Sequence, residues 1–174
     1  MMGFLAQEND LKVNVVAFQQ NAERINTFLE SLGAKNLHVI PLEPGSVQAA
    51  FEVRSCIQRG EFVSMMADRL SPGSRERSAE IRFLGADARF PLGPFELAGV
   101  LGCPVYVALC VRTGDRRYTT LMRPLAPPKR VPRSEREKWS LELLRRYVEF
   151  LEETCERVPL QWFNFFDFWQ EESR

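Results

Sequence analysis

Ile81 to Leu101 reads IRFLGADARFPLGPFELAGVL, and the order of residue types in this stretch decides the fold class. Ile81–Leu84 is a short strand, Gly85 supplies a tight turn, and Asp87–Phe90 is a second strand. A helix follows. Gly93 sits at its cap and Pro94 at its first position, where the missing N–H costs nothing and the fixed φ suits helix entry. The amides of Phe95, Glu96 and Leu97 are expected to point out of this turn. With the helix dipole they would make an anion site. Arg89 precedes the turn and Arg69 ends an earlier strand, so a phosphate-sized group fits the arrangement. Most Gly-Pro helix starts bind nothing, and the same residues also read as an ordinary helix entry.

Working outward toward the N-terminus, Lys12–Phe18 (KVNVVAF) is β-branched and bounded by polar residues, as in a strand. Asn21 caps an amphipathic helix with Ala22, Ile25, Phe28, Leu29 and Leu32 on one face, and Gly33 stops it. Leu37–Leu42 is a second strand. Ser46 can cap the next helix, which runs through Val47, Ala50, Phe51 and Ile57 to Gly60. Phe62–Ala67 is a third strand, apolar enough to be covered on both faces. This alternation predicts an α/β fold with a mostly parallel mixed sheet flanked by helices. The third strand delivers Asp68 and Arg69 to its C-terminal end, the edge at which open α/β sheets bind ligands. A surface ion pair is the plainer reading of the two residues.

Toward the C-terminus, Leu70–Glu80 is a polar loop with Pro72 and Gly73, and its Arg75 and Arg77 are solvated charges or phosphate contacts. Pro104–Val111 reads as a buried strand. Tyr118–Met122 pairs with it antiparallel across the turn Thr113–Arg116. The segment 123–136, RPLAPPKRVPRSER, is rich in proline and basic residues, so it reads as extended and solvent-facing, either a linker or a contact with an anionic membrane surface. Glu135–Arg157 is a long amphipathic helix with Trp139, Leu143, Leu144, Tyr147, Leu151, Cys155 and Val158 on one stripe. The aromatic tail, 160–170, divides between core and bilayer interface, with Trp162 and Phe163 expected to be buried.

Composition narrows the choices. A chain of 174 residues, 45% hydrophobic, can bury one core, so a single domain over residues 1–174 is the default. Basic and acidic residues balance at 23 each, which removes any global pull toward nucleic acid. The short patch Lys129–Arg136 has no interleaved aromatics, so no nucleic-acid partner is expected. The cysteines lack metal-ligand spacing, and Cys103 and Cys110 read as small core residues in a reducing compartment. No metal is expected. No segment has the apolar length of a membrane span.

The block FLGADARFPLGPFELAGVLGCPVYVALCVR, from Phe83 to Arg112, resembles the signature block of the bacterial lipid A biosynthesis (lauroyl/myristoyl) acyltransferases, within the lysophospholipid acyltransferase superfamily. The matching residues are Phe83, Gly85, Ala88, Phe90, Pro91, Gly93, Pro94 and Pro104. MMADR at Met65–Arg69 and QWFNFFDFW at Gln161–Trp169 are similar to two further family pieces, in the same order. The resemblance implies a three-layer acyltransferase-like fold. It also implies transfer of a fatty acyl chain, from an acyl carrier protein or CoA thioester, to a hydroxyl of a glycolipid or related lipid acceptor. Asp68, Arg69, Arg89, Phe90, Pro91, Gly93 and Pro94 would then bind substrate, with no cofactor beyond the thioester donor. Arg69 departs from the glutamine of many lipid A enzymes and suggests a charged group to hold. The implied location is peripheral, on the cytoplasmic face of the bacterial inner membrane.

Acyl transfer to a hydroxyl also needs a base, most often a histidine held by a carboxylate. The superfamily uses His-x-x-x-x-Asp/Glu. The single histidine here, His38, fits that spacing with Glu43. His38 lies inside a strand with Pro41 intervening, so a core or edge-strand histidine is the reading adopted. Met1–Gln7 resembles the helix that follows the family motif, so the N-terminal part of the fold, with its motif, is expected upstream of Met1. A truncated chain, a misassigned start and an inactive domain all fit. The resemblance thus implies no catalytic residue in this chain and no activity by itself. A non-catalytic lipid-binding or interaction domain is the alternative.

Overall fold

The computed structural model describes residues 11–18, 36–42, 47–70, 77–165 and 168–169. The helices expected at Met1–Gln7 and Asn21–Gly33 lie outside the described residues, as do Glu43, Ser46, Arg75 and Phe166. The chain divides into two compact units, residues 1–66 and residues 67–174.

In the first unit, β1 (Val13–Phe18), β2 (Leu37–Leu42) and β3 (Phe62–Met65) form a parallel sheet in the order β2-β1-β3. β1 is central, with Val13 opposite Leu37 on one side and Phe62 on the other. α1 (Gln48–Gln58) turns Ala49, Val53 and Cys56 inward, positions i, i+4 and i+7 of one face. The stripe expected from Val47 and Phe51 is on the outside instead, since both are exposed. β3 ends at Met65 and its Phe62 is exposed, so this strand is not covered on both faces as its apolar run suggested.

A buried amide holds the sheet's start together. Asn14, in the central strand, donates from Nδ2 to Glu61 Oε2 and to the Phe62 carbonyl, each at 3.1 Å. Glu61 in turn accepts a two-pronged bond from Arg59, with Nε–Oε1 and Nη2–Oε2 both 2.8 Å. Arg59 is the residue after α1, so this pair ties the helix exit to β3 and β1.

The second unit is built of hairpins and helices. β4 (Ser78–Phe83) and β5 (Ala86–Pro91) pair antiparallel, with Phe83 opposite Ala86. Their two-residue turn, Leu84–Gly85, has positive φ at both positions (50° and 88°), the geometry that matches strand twist in a tight hairpin. Glycine adopts this without strain, whereas Leu84 is held there by its N–H bond to Glu152 Oε1 at 2.6 Å. α2 (Gly93–Leu101) follows and ends at Gly102, whose φ of 70° closes the helix through a bond to the Ala98 carbonyl. A Cβ there would stand 2.6 Å from Arg130 Cγ, so close approach also requires glycine.

β6 (Val105–Gly114) and β7 (Arg117–Ala126) form the second hairpin. One face is buried through Val107, Val111 and Leu125, while Tyr106, Tyr118 and Met122 are exposed. β6 is therefore a half-covered antiparallel strand and not the fully buried one expected. Its Cys110 is exposed and Cys103 half-buried, so Cys56 and Cys155 are the core thiols instead. α3 (Arg133–Arg157) packs along this unit with Leu143, Leu144, Tyr147, Val148, Leu151 and Cys155 buried, essentially the stripe read from sequence.

The molecule is mixed α/β, but its sheets are not mostly parallel. Three strands pair in parallel and four pair in antiparallel hairpins. The cause is local: β4–β5 and β6–β7 are joined by two-residue turns, which allow only antiparallel pairing. The basic segment 123–136 is also not a separate extended strip. It comprises the end of β7, a short link and the first turn of α3. Arg123 lies 4.2 Å over the Phe150 ring and bonds Glu153 at 2.7 Å, so that cation belongs to the packing of β7 on α3.

Phe83, fully buried, is the hub of an aromatic cluster: its ring centroid lies 5.6 Å from Phe90, 5.1 Å from Trp162 and 5.8 Å from Phe168. Phe83→Ala is expected to lower unfolding free energy by about 3–5 kcal/mol, read from the denaturant midpoint. A loss below about 1 kcal/mol would show that the cluster closes over the gap.

The Arg59 guanidinium, with help from Asn14, holds the Glu61 carboxyl down at a pKa of about 2, against an ordinary value of 4.5. A depressed carboxylate contributes stability that is complete above its unfolded pKa and is lost as pH falls through the folded one. Stability should therefore decline between pH 4.5 and about 2, and Glu61→Gln should flatten that decline. An unchanged acid limb in Glu61→Gln would remove the pair from the stability balance.

Candidate functional site

Asp68 and Arg69 follow β3 by three and four residues and belong to the second unit. They bond each other, Arg69 Nη2–Asp68 Oδ2 at 2.8 Å and Nε–Oδ1 at 3.3 Å. The guanidinium is therefore already committed along one edge to its neighbour's carboxylate. Asp68 lifts the pKa of Arg69 above the usual guanidinium value, which keeps it cationic throughout.

Tyr147, on the buried stripe of α3, lies within range of the charges of this pair. Burial pushes its phenol pKa well above the ordinary value, the negative charge of Asp68 adds to the rise, and Arg69 opposes it. Its ring also packs on Phe95 at 6.0 Å. Phe95 lies in the first turn of α2, directly after Gly93 and Pro94. Through Tyr147 the Asp68–Arg69 pair and the Gly93-Pro94 helix entry share one neighbourhood. Sequence reading placed Tyr147 only as core. The available signal was that it is the one hydroxyl-bearing ring on an otherwise apolar stripe.

The helix entry differs from expectation in its hydrogen bonding. The cap is Leu92, one residue earlier than read, so Gly93 and Pro94 take the first two helical positions. The amides of Phe95 and Glu96 both donate to the Leu92 carbonyl at 3.0 Å, so they do not point outward as free donors. Glu96 already places a carboxylate in the first turn, where it complements the dipole. This entry is a satisfied helix start and makes no anion site by its backbone alone.

The other substrate-side residues are placed as follows. Arg89 stands opposite Glu80 across the β4–β5 ladder and pairs with it at 3.4 Å, exposed on the face away from the core. Phe90 is fully buried and Pro91 buried, so both are packing residues. Gly93 and Pro94 are half-buried. His38, on β2 of the first unit, has 61% of its side chain exposed and bonds Glu52 of α1 at 2.9 Å. Its carboxylate partner is thus Glu52, while Glu43 lies outside the described residues.

A cleft of about 100 Å³ lies in the second unit between β6 and α3, lined by Leu109, Val111, Leu151, Cys155, Val158 and Trp162. Gln161 closes one side. Its side-chain amide accepts from the Arg112 N–H at 2.6 Å and donates to the Arg112 carbonyl at 3.0 Å, as a third strand would. A more polar cleft of about 210 Å³ in the first unit is lined by Lys12, Asn14, Asn36, His38, Arg59 and Glu61. Among the described residues no group of three or more His, Cys, Asp or Glu side chains could hold a metal ion, and no helix is long and apolar enough to cross a membrane.

No protein-family model matches the chain, and no curated protein matches it.

The Asp68–Tyr147 proximity is open to a direct check. The difference in ultraviolet pH titration between the parent chain and Tyr147→Phe isolates this phenol. It should titrate above the ordinary value of 10.0, and in Asp68→Asn it should move back toward that value. A titration indifferent to Asp68→Asn would separate Tyr147 from the pair.

Proposed function

We propose that this chain handles the substrates of fatty acyl transfer: an acyl chain delivered as a thioester of acyl carrier protein or CoA, and a phosphorylated glycolipid or related lipid that bears the acceptor hydroxyl. Its mixed α/β architecture would then form part of a three-layer acyltransferase-like fold. What carries the reading is a convergence. Of the three stretches that resemble the lipid A acyltransferases, far apart in sequence, Asp68 and Arg69 of the first share a unit with the other two. The charges of Asp68 and Arg69 reach Tyr147, Tyr147 packs on Phe95 of the central block, and Trp162 and Phe168 of the tail pack on Phe83 and Phe90.

In this reading Arg69 is the anion contact, with Asp68 fixing its guanidinium. The cleft beside Trp162 would receive part of the acyl chain along its hydrophobic wall of Leu109, Val111 and Leu151. Acyl transfer also requires a base. The one histidine, His38, belongs to the first unit, where it is exposed and bonds Glu52, so the unit that holds Asp68 and Arg69 has no histidine of its own. This observation favours, as the second reading, a domain that binds these lipids without turning them over.

The test is binding and turnover by the full chain, with an acyl thioester and a phosphorylated glycolipid in mixed micelles. Binding of the phosphorylated lipid is expected, with no transfer. Arg69→Ala should weaken that binding by about 0.5–1 kcal/mol, because Arg69 is half exposed and already paired with Asp68. Arg69→Lys should recover part of the loss, since a point charge cannot reproduce the fork. Unchanged binding with a lowered melting temperature in Arg69→Ala would make the residue a structural partner of Asp68. Transfer that depends on His38 would relocate the site to the first unit.

A further inference from the structure

The run after α3 is divided between two environments. Trp162 turns inward onto Phe83, while Leu160, Phe163 and Phe165 on either side of it are 91%, 69% and 90% exposed. Phe163 and Phe165 lie together, with ring centroids 6.3 Å apart. Three large apolar side chains held out in water around one half-buried anchor cannot be explained by the core of their own unit.

Their position is fixed by the two hydrogen bonds of Gln161 to the backbone of Arg112, which tie this run to the turn end of the β6–β7 hairpin. That end is basic. Arg112, Arg116 and Arg117 stand against one carboxylate, Asp115, which pairs with Arg112 at 3.3 Å, a local excess of two positive charges. Arg116 and Arg117 form no ion pair among the described residues. The nearby last turns of α3 carry Glu152, Glu153 and Glu156 against Arg157 and Arg123, which reaches Glu153 from β7, a balance of one negative charge, so this end keeps one positive charge in excess. By contrast Arg123, the first cation of the proline-rich segment, is consumed in packing.

We propose that this end of the second unit, Leu160–Phe165 together with the Asp115–Arg117 turn, docks on the surface of an anionic lipid bilayer. Exposed phenylalanines beside unpaired arginines are the composition of an interfacial anchor: the rings enter the headgroup boundary and the guanidinium groups meet lipid phosphates. A purely apolar partner would leave Arg116 and Arg117 desolvated without counter-charge, which disfavours a second copy of the same face. Trp162 supplies the rigid root of the anchor. This inference rests on exposure and charge and stands whether or not the chain takes part in acyl transfer.

The experiment is co-sedimentation of the full chain with phosphatidylcholine vesicles, alone or with about one third phosphatidylglycerol, over a range of salt. The anionic vesicles should bind it, and binding should fall as salt rises. Phe163→Ser/Phe165→Ser should abolish binding at every salt concentration. Arg116→Gln/Arg117→Gln should weaken binding to anionic vesicles roughly thirtyfold and remove most of the salt dependence. The arginine pair touches no core residue, so that variant decides the matter even if the phenylalanine pair lowers the melting temperature. Binding of the arginine variant at the parent's level would overturn the proposal. So would a parent chain that ignores both vesicle types but self-associates, with Phe163→Ser/Phe165→Ser returning it to monomer.

Discussion

The inward placement of Phe83 is the constraint on which the second unit depends. It is the last residue of β4, immediately before a turn in which both positions have positive φ. That turn fixes the β4–β5 register, and a slip by one residue would move Phe83 and Phe90 to the solvent face together. With the register set, Phe83 offers its ring to Trp162 and Phe168, and its carbonyl accepts the indole N–H of Trp169 at 3.2 Å. Glu152 of α3 secures the next amide. One residue thereby locates the hairpin, the long helix and the aromatic tail. Each such ring pair contributes about 0.5–1.5 kcal/mol beyond its buried area, so the cluster dominates the local energetics.

The first unit depends on a polar contact of the same kind. A parallel sheet has no hairpin turns to set register, and an asparagine in a central strand would be costly if left unpaired. Asn14 has its amide satisfied by the Glu61 side chain and the Phe62 carbonyl, and Arg59 holds Glu61 in place. The pairing is met only when β3 begins opposite Val13. Register and hydrogen-bond satisfaction are therefore the same condition.

Much of this was legible in the sequence where the signal is local. The β-branched runs at Lys12–Phe18 and Leu37–Leu42 are strands, and the Glu135–Arg157 stripe is the buried face of α3. What failed was long-range or a matter of one residue. The antiparallel pairing of Pro104–Val111 with Tyr118–Met122 is found, but local signals do not say whether such a hairpin joins the parallel strands, and β4–β5 and β6–β7 form two-stranded sheets of their own. The Gly93-Pro94 signal located a helix start, but the cap fell on Leu92, whose carbonyl closes the amides thought to be open. Phe163 was expected inside with Trp162, yet neighbours without regular structure share no fixed face, and only Trp162 meets the core. Tyr147 was legible as buried and not as within range of the charges of Asp68 and Arg69, because that relation spans a long separation in sequence.

The pairing of charges bears on how any anion can be recognised. Arg59, Arg69, Arg89, Arg112 and Arg123 each have a carboxylate partner, which matches a chain of zero formal net charge. A free phosphate approaching Arg69 competes with a carboxylate of its own sequence neighbour that is already desolvated on one side. Its net gain is correspondingly small, because a surface pair is worth at most about 1 kcal/mol and exchange returns only the difference. A phosphate carried on a lipid is different. Each methylene buried adds about 0.8 kcal/mol, so a few carbons in an apolar cleft outweigh the whole electrostatic exchange. Under the proposed function, Arg69 therefore selects and orients a ligand whose affinity comes from its hydrocarbon, and inorganic phosphate would be a poor competitor for the same site.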